Sequence, residues 1–136
     1  MADSTQPIND TIEAEGLYSN NAEDTGKETV LGLTRVADGN WQGWHIVDDQ
    51  KKKPNFPDNL IDVKSVLIVL AIPYYKKKYW DAINGDQINN QEEAKRIYDM
   101  YVNKGEEAII LAQRSLGIVE SGHMDNITLN TLNNQA

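Results

Sequence analysis

The chain contains no cysteine, a single phenylalanine and only two histidines. Without thiols there is no disulfide framework, no thiolate zinc site and no cysteine nucleophile. His45 and His123 are isolated, with no H-x-x-x-H spacing, so no metal centre and no other cofactor is expected. Long apolar runs are missing too. The strongest, "VLIVLAIP" from Val66 to Pro73, is far shorter than the roughly 20 residues that cross a bilayer, so stable membrane insertion is not expected. "MADSTQPIND" has neither a basic start nor an apolar run and does not read as a secretory signal. The nucleophile elbow G-x-S-x-G and the glycine-rich phosphate loops are absent.

Positive charge is scarce: 13 Lys and Arg stand against 21 Asp and Glu, for a net charge of −8. Phosphate backbones repel such a chain, so nucleic acid is not an expected partner. The basic runs Lys51-Lys52-Lys53 and Lys76-Lys77-Lys78, the second inside "YYKKKYW", read as solvated helix faces.

What is present describes a globular domain. At 136 residues with 40% apolar content, the chain can bury about two thirds of its unfolded surface in a core. Residues 1–7 read as a frayed leader. Ile8 and Ile12 then lie four apart, as on one face of a short helix that stops at Gly16. Residues 18–29 are polar and turn-rich, and "VLGLT" is ambiguous between helix and strand. The stretch "DGNWQGWHIVDDQKKKPNFPDN" reads as a long surface connection. A helix starting near Asn59 or Asp62 is expected to turn Val63, Val66, Leu67 and Leu70 inward and to break or kink at Pro73. Asn90 caps a helix with Ala94, Ile97, Tyr98 and Tyr101 on one face, stopped by Gly105. Ile109, Ala112 and Leu116 line another helix, ended by Gly117, and "ITLNTLNN" starts a last one. The expected class is all-α, mainly helical.

Glycoside hydrolysis is compatible with this inventory, although carboxylates at helix ends are mostly solvated. It needs carboxylates and shape: a proton donor beside the scissile bond and a second group that orients water or stabilises the charged centre. Glu15 stands in the last turn of the first helix, followed at once by Gly16, Leu17 and Tyr18, which could wall it from solvent. Asp24 lies nine residues on and Thr29 five further, so the three could converge on one cleft. In "NWQGWH", Trp41 and Trp44 could stack on sugar rings, although paired loop tryptophans more often cap a small core.

"EGLYSNNAEDTGKETVLGLTR" resembles the signature of glycoside hydrolase family 108, E-G-G-Y-x-N-D-x-x-D-x-G-G-x-T-x-x-G-I-T. Glu15, Gly16, Tyr18, Asn20, Asp24, Gly26, Thr29, Gly32 and Thr34 carry the match. Farther on, "YYKKKYWDAINGD" is similar to the family's Y-x-x-x-Y-W-D-x-x-x-G-D, and Asp99 and Asn103 fall on its F-D-x-x-V-N positions. "SGHMDNITLNTLN" is similar to the G-x-x-G-x-x-T-L turn of the associated predicted peptidoglycan-binding segment. The resemblance implies a lysozyme-like fold, with residues 1–88 as catalytic region and 89–136 as a helical region like that segment.

It also implies an N-acetylmuramidase of endolysin or autolysin type, cutting the β-1,4 bond between N-acetylmuramic acid and N-acetylglucosamine. Glu15 would be the proton donor, with Asp24 and Thr29 holding water and substrate. Tyr18, Asn20, Trp41, Trp44, Asp99 and Asn103 are the substrate-binding candidates, and peptidoglycan glycan strands the partner. Such a protein, made in the cytoplasm without a signal peptide, would act in the periplasm or wall after export or holin-dependent release. Oligomeric state is not fixed by the sequence. The chain departs from the pattern at Leu17 and Lys27, which replace glycines, at Asn21, and at Asp125 in the last motif. These departures motivate the alternative of a non-catalytic wall-binding or secretion-associated protein.

Overall fold

A computed structural model describes residues 1–20 and 28–135. Six α-helices and one small antiparallel sheet make up its regular structure, a mainly helical, lysozyme-like arrangement. Two compact units divide it: residues 9–74, and residues 1–8 with 75–136.

The unit of residues 9–74 receives most of α1 (Thr5–Glu15) and carries β1 (Tyr18–Asn20), β2 (Glu28–Val30) and β3 (Leu33–Thr34) in the order β1-β2-β3. Ile12 is buried on the expected face of α1, and Gly16 ends the helix at φ +81°, a conformation that suits glycine. The ambiguous "VLGLT" is a hairpin. Val30 pairs with Leu33, and the two residues between them, Leu31 and Gly32, have φ of +52° and +84°, as a type I′ turn demands.

The expected long loop is not one, because α2 (Gly43–Lys51) forms inside it. Its buried residues Trp44, Val47 and Gln50 recur every third position, a narrow stripe hidden among the flanking glycines, prolines and lysines. Gln50 and Asn59 cross-bond side chain to backbone at 2.8 and 3.0 Å and tie α2 to the 3-10 turn Asp58–Val63. From there α3 (Lys64–Tyr75) runs on with Pro73 inside it, so the proline does not break the helix, and a π-helical turn, Lys76–Trp80, follows. Of the expected inward face of α3, Leu67 is fully buried but Val66 is 48% exposed. The helix is apolar all round, and in such a helix periodicity cannot choose the inner side.

In the other unit, the leader expected to fray is held. The Ala2 amide donates to the Ile88 carbonyl at 2.8 Å, and Asp3 and Gln91 exchange two hydrogen bonds. Trp80 and Tyr98 are fully buried against each other. α4 (Gln91–Lys104) starts at Asn90, whose side chain accepts from the Glu93 amide, and buries Ala94, Ile97 and Tyr98 as expected. Gly105 joins it to α5 (Glu106–Leu116), which buries Ile109 and Ala112. α6 (Asn126–Asn133) is capped by Asp125.

Candidate active site

The described residues of the signature gather at the end of α1 and on the small sheet. Glu15 is exposed on the last turn of α1, and among the described residues its carboxylate has no hydrogen bond or ion pair. The enclosure expected from Leu17 and Tyr18 is absent. Leu17 lines a hollow with Asn9, Ile12 and Glu13, while Tyr18 turns into the sheet.

Strand register sorts the remaining candidates. Tyr18 pairs with Val30, Ser19 with Thr29 and Asn20 with Glu28. Side chains of directly paired residues share a face and alternate along a strand, so Tyr18, Asn20 and Glu28 lie on one face and Ser19 and Thr29 on the other. The Thr29 hydroxyl donates to the Ser19 carbonyl at 3.3 Å. Thr29 and the pair Tyr18–Asn20 therefore look in opposite directions, which the linear motif does not reveal. Asp24 lies outside the described residues, as do Asn21 and Lys27.

Glu28, which sequence reasoning passed over, is the electrostatic centre of the sheet. It is 7% exposed, and its carboxylate meets the Lys51 ammonium at 2.6 Å and the Arg35 guanidinium at 3.1 Å. The Tyr18 hydroxyl donates to it at 2.9 Å. Burial works to raise the pKa of Glu28, but the hydrogen bonds from Lys51, Tyr18 and Arg35 outweigh it and hold the carboxyl below its ordinary range. The same bond acts oppositely on its donor. Burial first, then the neighbouring Glu28 carboxylate, push the Tyr18 phenol up to about 12.

Arg35 extends this cluster outward. It pairs with Asp48, whose carboxyl it holds below the usual range, and lies 4.1 Å over the Trp44 ring. Trp44 is edge-on to Trp41, and both are 3% exposed. The Trp44 indole donates to the Asp38 carbonyl at 2.8 Å and the Trp41 indole to the Leu70 carbonyl at 3.2 Å. Neither ring offers an open face for a sugar. Of the two readings of this pair, packing is the one the structure shows, because each indole has both a burial partner and a backbone acceptor.

Asp99 and Asn103 belong to the other unit. On α4, Asp99 accepts from Lys95 at 2.9 Å and the Asn103 amide donates to the Asp99 carbonyl at 3.0 Å, so these bonds stay within one helix and tie no two together. His45 and His123 are exposed, and no metal-binding cluster occurs among the described residues. Asp125 serves as a helix cap: its carboxylate accepts from the Thr128 amide at 2.9 Å.

The fold is similar to that of Brucella abortus SagA, at a TM-score of 0.68 and 20% identity over 97% of this chain and 69% of that one. No curated protein sequence matches the chain. The sequence profile described as Glycosyl hydrolase 108 matches residues 8–105, a span that runs from α1 through α4 and takes in Glu15, the hairpin and the Glu28 cluster, so the chain belongs to glycosyl hydrolase family 108.

Proposed function

We propose that the chain is a peptidoglycan hydrolase that cleaves the β-1,4 bond between N-acetylmuramic acid and N-acetylglucosamine, with Glu15 as proton donor. The observation that carries this reading is the state of Glu15 within a glycosyl hydrolase framework. It is the acid at the end of α1, exposed, and free of hydrogen-bond and ion-pair partners among the described residues. A general acid must reach the glycosidic oxygen, and an unpartnered carboxylate is free to do so. Bound sugar rings would supply the enclosure that the neighbouring side chains do not give Glu15. Thr29 and Asp24 are the groups proposed to hold water and substrate.

The alternative, a wall-binding protein without activity, is motivated by the altered glycines and would hold glycan through Tyr18, Trp41 and Trp44. Trp41 and Trp44 are packed inside, which leaves neither ring for that role, while Tyr18 is half-buried with its hydroxyl on Glu28. The identity of the new reducing end tests the bond assignment. Products reduced with borohydride should yield the alcohol of N-acetylmuramic acid; the alcohol of N-acetylglucosamine alone would overturn it.

A further inference from the structure

Leu17 stands where the family pattern has a glycine, at an ordinary backbone conformation that no glycine requires. With Leu31 and Ile68 it walls a hollow of about 270 Å³, whose polar lining is Asn9, Glu13 and Lys64. The hollow belongs wholly to the unit of residues 9–74 and does not include Glu15.

One of its two charges is placed against local electrostatics. Glu13 lies in the last turn of α1, where a carboxylate opposes the helix dipole, and no basic residue accompanies it there. Lys64 lies where the 3-10 turn Asp58–Val63 passes directly into α3, its amide donating to the Ile61 carbonyl. Both are exposed, and among the described residues neither side chain has a hydrogen-bond or ion-pair partner. Opposite charges therefore line one hollow, and each remains available to a ligand.

The floor carries strain as well. Leu31 is held at φ +52° at the first central position of the hairpin turn, where asparagine or glycine would sit without steric penalty. The turn sets this side chain, 1% exposed, beneath the hollow. Strain retained in an ordered turn points to a use for the strained residue.

We propose that the hollow binds an aliphatic zwitterion, its ammonium facing Glu13, its carboxylate facing Lys64, and its methylene chain lying on Leu17, Leu31 and Ile68. Asn9 can donate to the carboxylate or accept from the ammonium. The volume accommodates one amino-acid-sized group. In bacterial wall polymer that chemistry belongs to the diamino acid of the peptide stems, which presents an ammonium and a carboxylate at the end of an aliphatic chain. Resting on the hydrolase reading above, the hollow then selects stem-bearing over stripped glycan.

The test titrates the isotope-labelled Glu15→Gln chain with the glycan-free stem tripeptide L-alanyl-γ-D-glutamyl-diaminopimelate and follows backbone amide shifts. Saturable shifts are expected at Asn9, Glu13, Leu17, Leu31 and Lys64, with affinity about three-fold or more weaker in Glu13→Gln and in Lys64→Gln backgrounds. Absence of saturable shifts at these amides, or equal affinity in all three chains, would overturn the site. Since the probe has no glycosidic bond, the result is independent of hydrolysis. Tripeptide binding without glycan cleavage would leave the stem site standing and remove the hydrolase reading. Equal cleavage of stem-bearing and stripped glycan, with no tripeptide binding, would do the reverse.

Discussion

Tyr18 donates its hydroxyl to Glu28 at 2.9 Å across the β1–β2 pair, and the two side chains share the face that Thr29 does not. Because Lys51 and Arg35 hold the same carboxylate, one buried acid fixes the hairpin from three sides. The strand that presents Thr29 is therefore positioned by the residue just before it.

Replacing Glu28 with glutamine should cost about 2 kcal/mol, because Lys51 and Arg35 lose the charge that compensates their own partial burial. Tyr18 should then ionise below its present value of about 12, moving toward the ordinary 10 as far as its remaining burial allows. Denaturant unfolding reads the first effect and ultraviolet titration of the phenols the second. An unchanged titration would remove Glu28 as a cause.

The same pair contributes to both limits of the pH range of stability. Glu28 is held below its ordinary value, so its contribution is complete above the ordinary glutamate range and is lost as pH falls through the folded value. Tyr18 is raised to about 12, so its contribution is complete below about 10 and is lost as pH climbs toward 12. Unfolding free energy measured across pH should form a plateau bounded by these two limbs, and Glu28→Gln should flatten the acid one.

Two glycines are packing requirements. A Cβ on Gly43 would run into the Trp41 ring, and one on Gly85 into the Trp80 ring. Gly43→Ala and Gly85→Ala are each expected to destabilise the chain by about 2 kcal/mol through overpacking, although alanine is the better helix former. Thermal unfolding decides whether packing or propensity wins.

Asp125, a departure from the family glycine, caps α6 through the Thr128 amide and hydroxyl. Asp125→Ala should cost about 1 kcal/mol. Restoration of most of that loss by Asp125→Ser would identify the cap itself as the cause.

Much of the fold was legible where local chemistry acts alone. Asn90, Gly105, Gly117 and the Ile8–Ile12 spacing mark helix ends and faces that need no distant partner. The hairpin was harder, since a positive-φ leucine is not a turn signal, and α2 was hidden by the prolines and glycines around it. At the candidate site, the motif located Glu15 but not its surroundings. Glu28 escaped notice because its importance lies in Lys51 and Arg35, residues distant in sequence that only the fold brings to it. Trp41 and Trp44 left two readings open for a related reason: sequence shows an aromatic pair but not which way the rings face.

The central claim is that Glu15 is the proton donor of a glycan hydrolase. Its most direct test is release of reducing ends from purified peptidoglycan by the wild-type chain beside Glu15→Gln, both shown to be folded. The account predicts steady release by wild type and a loss of roughly 100-fold or more in the variant, the scale of a general acid's contribution. Equal release by the two chains would contradict it.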